Sequence, residues 1–211
     1  MFDYEKECQS NGYKLIAGID EAGRGPLAGP VCVAMAIMPL EEDKIIEGIN
    51  DSKKLTEKKR NILFEKIKST AIAYRIEFID EQTIDTINIL NATKLGMYTC
   101  IENIDIKPDI ILIDAVKLET EIPSKPIIKG DALSYSIACA SILAKVARDR
   151  LMLELDEKYP QYNFKKHKGY GTKEHIDNLK KYGPSKIHRK SFIGHFVNVD
   201  KLDWEYYEIK N

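Results

Sequence analysis

Three apolar runs in this sequence each deliver an acidic side chain at their end. The first alternates, with Tyr13, Leu15, Ala17 and Ile19 on one face and Lys14, Ile16, Gly18 and Asp20 on the other, and Glu21 follows at once. The second, 109–115, is β-branched and reaches Asp114, and the third, 126–131, reaches Asp131. Runs of this kind read as buried strands. Strands that lie side by side with carboxylates at their ends concentrate negative charge at one sheet edge. That arrangement costs stability unless cations are bound. Helix capping accounts well for Asp131 and poorly for Asp114. Strict alternation starts Asp20 and Glu21 on opposite sides of their strand, unless the strand ends or bulges there.

The first run passes directly into Gly23-Arg24-Gly25-Pro26-Leu27-Ala28-Gly29-Pro30. Glycines at 23 and 25 free the backbone to turn and let a ligand come close, and the prolines stiffen the loop. A P-loop is excluded because no Gly-Lys-Ser/Thr follows. A dinucleotide fingerprint is excluded because 31–37 reads as a strand and not a helix. Carboxylates before an arginine-bearing glycine loop read as a metal-binding strand end joined to a segment that can lie against a phosphate backbone.

The rest of the chain alternates strand and helix signals. Residues 31–38 are nearly continuous apolar. Thr56 is the expected N-cap of a helix to about 69, with Leu63 and Ile67 inward. Residues 71–79 alternate as a strand. Residues 81–103 read as one long helix with Ile84, Ile87, Leu95, Tyr98 and Ile101 toward the core. A further helix, about 132–159, carries small residues for close packing on a sheet, with Lys145, Arg148 and Arg150 expected at the surface. Thr172 is an expected N-cap for a short helix that Gly183-Pro184 stops.

Net charge is −1, but 163–190 carries nine basic and two acidic residues, a local excess of +7. A basic stripe on a near-neutral protein suggests a polyanion site, or else a solvated lysine-rich surface. Within it Tyr170 stands between glycines in a cationic loop, placed either to stack on a base or sugar or to plug its own loop. The histidines at 167, 175, 188 and 195 lack zinc-finger spacing. The four cysteines lie far apart with no C-x-x-C, as buried free thiols would. No apolar run is long enough to span a bilayer and the N-terminus has no signal-peptide pattern, so a cytoplasmic protein is expected. The length suits a core of 1–159 with a basic helical extension of 160–211 in the same folding unit. The tail from Lys201, with Trp204, Tyr206 and Tyr207, is left undecided between packed and mobile. A metal nuclease acting on DNA and a nucleic-acid-binding module without chemistry both stay open at this point.

With these pieces in place the chain resembles the ribonuclease HII family. The motifs are GIDEAGRGPLAGPV from Gly18, DSKKL from Asp51, ILIDAVKL from Ile111, KGDALSYSIACASILAKVARDR from Lys129, HKGYGT from His167 and HRKSF from His188, in the family's order. The resemblance implies an α/β, ribonuclease H-like fold: a mixed five-stranded sheet flanked by helices, with a C-terminal helical extension. It implies an endonuclease that cuts the RNA strand of RNA/DNA hybrids and incises 5′ of ribonucleotides embedded in duplex DNA. The expected products carry 5′-phosphate and 3′-hydroxyl ends.

The family's acidic positions fall on Asp20, Glu21, Asp114 and Asp131, expected to hold two divalent cations, Mn2+ or Mg2+, with Asp20 shared between them. Its glycine-arginine-glycine element falls on Gly23, Arg24 and Gly25, and its junction-sensing tyrosine on Tyr170. Lys53, Lys168 and Arg189 are the further substrate-binding positions. The expected partners are RNA/DNA hybrid and ribonucleotide-containing duplex DNA, with no membrane and the chain acting as a monomer. Two positions depart from the family pattern: Ala115 stands where glycine is common, and Cys139 replaces an alanine.

Overall fold

The computed structural model describes residues 1–199. The expectation for the tail from Lys201 lies outside the described residues. Five strands form one sheet: β1 (Ile16–Ala22), β2 (Val31–Ile37), β3 (Ala73–Ile79), β4 (Ile110–Asp114) and β5 (Ser124–Ile127), in the order β3-β2-β1-β4-β5. Strand β1 runs antiparallel to β2 and parallel to β4, and β4 runs parallel to β5, so the sheet is mixed. The helices are α1 (Asp3–Ser10), α2 (Glu57–Thr70), α3 (Glu81–Asn103), α4 (Gly130–Leu133), α5 (Tyr135–Lys158), α6 (Phe164–His167), α7 (Lys173–Tyr182) and α8 (Lys190–Ile193).

The chain divides into two compact units built from non-contiguous stretches. The first comprises 1–22, 32–78 and 93–147; the second comprises 23–31, 79–92 and 148–199. In the first unit the period of two sorts side chains onto two buried faces. Ala17, Ile19, Val33, Met35, Ile37, Ile111 and Ile113 pack with Met97, Cys100 and Ile101 of α3. On the other face Ile16, Ile110 and Leu112 pack with Ile137 of α5, while Cys32, Ala34 and Ala36 meet α2 and α5. Gly18 is what lets α5 come so close. A Cβ there would stand 2.1 Å from the carbonyl carbon of Ser136 and 2.3 Å from the Ile137 nitrogen. Helix α2 starts as its sequence asks, with the Thr56 hydroxyl accepting from Lys59 N–H, and buries Leu63 and Ile67. All four cysteines are buried free thiols, including Cys139 within α5.

Three expectations need correction. The segment 81–103 is not one continuous helix: Asn88 sits at φ 65, ψ 164. Its side chain accepts from Leu90 and Asn91 N–H, so Asn88 starts a second helical segment as an N-cap. The phase of the apolar face restarts there, and Leu95 is exposed while Ala92, Met97 and Cys100 are buried. The third acidic residue is not at a strand end. Strand β5 stops at Ile127, Lys129 turns left-handed at φ 59, and Asp131 lies in the first turn of α4. Arg148, expected at the surface, is 1% exposed.

Candidate active site

In the first unit, register assembles the acidic group. Ile19 pairs with Ile113 across the parallel β1–β4 ladder, so Asp20 and Asp114, one residue on, come level on neighbouring strands. Both follow the Ile16 and Leu112 face by alternation, and the turn out of β5 brings Asp131 to join them. Oxygens of Asp20, Asp114 and Asp131 all lie within 4.8 Å of one another. Glu21 is not in this group. Its carboxylate still lies near enough for its charge to act on Asp20, second only to burial. The structure therefore gathers three of the four expected carboxylates at one point.

Each of the three is held. Asp20 is buried and accepts from Glu21 N–H at 2.7 Å and from the Ser141 hydroxyl. The Ser141 oxygen is 3.0 Å from that of buried Ser52. Asp114 accepts from Gly130 N–H at 2.7 Å. Lys53 reaches Asp131 at 3.3 Å, with a side chain 80% exposed. The segment carrying Ser52 and Lys53 is a short turn of helix that Asp51 caps through Lys53 N–H. Ser52 and Ser141 were not singled out from sequence. The available signal was their place inside DSKKL and the serine-alanine run of α5.

Burial raises the pKa of Asp20 well above the usual carboxylate range, and the charges of Glu21 and Asp114 raise it further. Asp114 is raised too, by burial first and also by Asp131, against the pull of Gly130 N–H. Lys53 is the cation the structure places on the group, and it is largely in solvent. Three carboxylates this close, two of them resisting ionisation, fit hard divalent cations that prefer oxygen ligands. Asp20, Asp114 and Asp131 are the residues that would hold them.

The backbone next to Asp114 is strained. Ala115 has φ 53 and centres a three-residue turn closed by Val116 N–H to Asp114 C=O at 2.6 Å. That is a glycine conformation, and it explains why glycine suits this position. Ala115→Gly should stabilise the protein by up to about 1 kcal/mol, the left-handed penalty less the extra entropy of glycine. A lower urea midpoint for that variant would contradict the assignment.

In the second unit, the loop 23–30 is stitched to two other segments. Leu27 N–H donates to Gly169 C=O, Gly29 N–H to Ile187 C=O, and Arg189 N–H to Leu27 C=O, each at 2.8 Å. The Tyr170 ring lies 3.8 Å from where a Gly25 Cβ would be, and Tyr170 is 44% exposed. The glycine loop and the tyrosine thus form one surface. Lys168 turns left-handed and its ammonium bonds the Lys165 carbonyl. Arg189 corrects an expectation. It is 0% exposed, and its guanidinium bonds the carbonyls of Gly23, Arg24 and Gly29 rather than facing solvent. A basic run in sequence cannot distinguish an arginine that faces water from one whose donors satisfy buried carbonyls.

Three buried imidazoles cluster behind the Tyr170 backbone, His167 and His175 stacked with ring centres 4.5 Å apart and His188 tilted against His175 at 5.2 Å. Ser185 N–H donates to His188 Nδ1 at 2.9 Å, which leaves the proton on His188 Nε2. That proton points to His175 Nε2 at 3.1 Å, and His175 Nδ1 then donates to Tyr170 C=O at 2.9 Å. The order of donors assigns both rings as neutral. Burial, the first cause for each, lowers His188 to about 3 and His175 to about 4. The unfolded chain therefore binds more protons than the folded one below about pH 6.5. Their contribution to stability is complete above that pH and is lost as pH falls through 4 toward 3. Melting temperature should fall steeply over this range, and less so in His175→Gln. Equal slopes for the two proteins would contradict the neutral chain.

Comparison with known proteins bears on both units. The Ribonuclease HII family profile matches residues 17–195. Ribonuclease HII of Caldicellulosiruptor bescii is 55% identical over 199 residues, covering 94% of this chain and 96% of that protein. The enzyme of Acetivibrio thermocellus is 57% identical over 198 residues, covering 93% of this chain and 77% of its own. Among solved structures, ribonuclease H2 from Pyrococcus horikoshii OT3 superposes with a TM-score of 0.73 at 25% identity, covering 94% of this chain and 100% of that one. A PCNA:RNase HII complex from Archaeoglobus fulgidus matches with a TM-score of 0.69 at 27% identity, over 80% of this chain and 88% of that chain.

Proposed function

Because the chain belongs to the ribonuclease HII family, and so is a ribonuclease H that hydrolyses the RNA of RNA/DNA hybrids, we propose that it also incises duplex DNA 5′ of single embedded ribonucleotides. The products carry 5′-phosphate and 3′-hydroxyl ends. The observation that carries the reading is the convergence of Asp20, Asp114 and Asp131 within 4.8 Å. Asp20, Asp114 and Asp131 would hold two divalent cations, Mg2+ or Mn2+, which when bound would supply an easily deprotonated water and charge relief for the leaving 3′-oxygen. Glu21, whose charge reaches Asp20, is read as the fourth carboxylate of the set.

The chain's own groups do the rest. Glu21 N–H and the Ser141 hydroxyl orient Asp20, and Gly130 N–H orients Asp114. Lys53, beside Asp131 and open to solvent, meets a substrate phosphate. The Gly23–Gly25 backbone and the Tyr170 hydroxyl read the ribose 2′-hydroxyl, the group that separates RNA from DNA. Arg24 and Lys168 hold the nucleic-acid backbone. The reading has the protein acting as a cytoplasmic monomer; among the described residues no helix is long and apolar enough to cross a membrane.

The test is a duplex with one ribonucleotide, incubated with each metal and with chelator, and its product ends identified. Cleavage at that position, dependent on metal, is the expected result. An all-DNA duplex cut as fast would favour a DNA nuclease. Tyr170→Ala, at a half-exposed side chain, should cost junction cutting roughly tenfold or more with little change in melting temperature. Unchanged kinetics on the single-ribonucleotide duplex would remove Tyr170 from the site.

A further inference from the structure

Two buried arginines are left without a part in this scheme. Arg148 spreads its guanidinium over the carbonyls of Ala28, Pro30 and Lys168 at 2.9–3.1 Å. Arg189 takes Gly23 C=O at 2.6 Å, Arg24 C=O at 2.9 Å, and Gly29 C=O twice, at 2.7 and 2.9 Å. Burying a guanidinium is costly, and here burial and then Arg148 push the pKa of Arg189 down to about 9, which still leaves it charged at neutral pH. An apolar side chain in the same space would leave the carbonyls of Gly23, Arg24 and Gly29 unpaired, so what holding those carbonyls achieves calls for an explanation.

The explanation lies in peptide geometry. Among the described residues no peptide bond is cis. In a trans peptide the C=O of one residue and the N–H of the next point in opposite directions. With the carbonyls of Gly23 and Arg24 drawn onto the Arg189 guanidinium, the N–H groups of Arg24 and Gly25 are aimed away from it. Peptide planes flanked by glycine flip readily, and Gly23 already sits at φ 94. A glycine-arginine-glycine loop left to itself would present carbonyls and amides in turn.

We propose that Arg189 is a positioning residue for ribose recognition. By holding the Gly23 and Arg24 carbonyls inward it turns the Arg24 and Gly25 amides toward an incoming phosphate or 2′-hydroxyl. Its positive charge, lodged behind those amides, favours an anionic ligand on their far side. Arg148 anchors the distal end of the same loop. The inference rests on the reading of this loop as the ribose reader.

The experiment compares wild type with Arg189→Lys, which keeps the charge but cannot hold three carbonyls in a planar fork, and with Arg189→Gln. Kinetics are read on a single-ribonucleotide duplex, together with the Mn2+ concentration for half-activation. Backbone amide shifts of Arg24 and Gly25 are followed in wild type on titration with the duplex in EDTA. We expect folded Arg189→Lys to lose on the order of 100-fold in kcat/KM with its Mn2+ requirement unchanged, and the two amides to shift in wild type. A merely structural lesion would instead raise the Mn2+ requirement in step with lost stability. A folded variant with wild-type kinetics overturns the proposal. If neither variant folds, the wild-type titration decides, and unmoved Arg24 and Gly25 amides overturn it. If wild type itself leaves the ribonucleotide duplex uncut, the functional reading has failed separately. Inorganic phosphate then replaces the duplex in the titration, with the same two amides as the readout.

Discussion

Asp20→Asn should abolish cleavage of hybrid and single-ribonucleotide substrates while making the metal-free protein more stable. Substituting a residue that merely orients a metal ligand typically costs 10- to 100-fold, so removing a ligand charge itself should cost more than about 100-fold. The stability gain has a separate origin. Asp20 is 4% exposed, and its carboxylate is penalised by burial and then by Glu21 and Asp114. An amide of the same shape keeps the Glu21 N–H and Ser141 partners and sheds the repulsion. A gain of about 1–2 kcal/mol is expected in EDTA, as for other strained sites relieved of their function. Added Mn2+ should stabilise wild type more than the variant, because a cation bound only by the folded state shifts unfolding by mass action. The pair of measurements separates the two effects. Retained cleavage would refute the metal scheme, and a less stable variant would refute the electrostatic account of the site.

Gly18→Ala should be the most damaging single methyl in the first unit. The added carbon meets backbone atoms of Ser136 and Ile137 at 2.1–2.3 Å, where no side-chain rotation can relieve it. Helix α5 would have to lift off β1, at about 3 kcal/mol, or roughly 10 °C in melting temperature for a chain of this size. The damage should reach the chemistry as well. Ser141 lies further along the same helix, and it is the hydroxyl that holds Asp20. Cleavage should therefore fall even at temperatures where the variant stays folded. A variant with native stability and activity would mean that α5 does not rest on Gly18.

Much of this was legible in the chain. The strand periodicities of 13–20, 31–38 and 109–115 match β1, β2 and β4, since two buried faces leave few registers open to them. Thr56 and Thr172 cap their helices as their chemistry predicts, each accepting from the N–H three residues on. The departures share a cause. Apolar residues recur on both sides of Asn88, and its own side chain bonding Leu90 and Asn91 N–H marks the break between the two helical segments. Asp131 read as a strand end because the apolar run 126–128 leads to it within three residues, yet Lys129 turns left-handed first. Arg148 and Arg189 read as surface charge because composition says nothing about which carbonyls lie within reach.

By itself, then, the sequence determined which residues could carry the chemistry: local patterning is a property of neighbours, and it put carboxylates at the ends of apolar runs and glycines beside an arginine. Which of those carboxylates meet was decided by tertiary structure alone. Parallel pairing of β1 with β4 sets Asp20 level with Asp114, and the turn out of β5 brings Asp131 to them. The same holds for Arg189, whose charge is written in the chain but whose partners, Gly23 and Arg24, lie more than 160 residues away and are supplied by the fold.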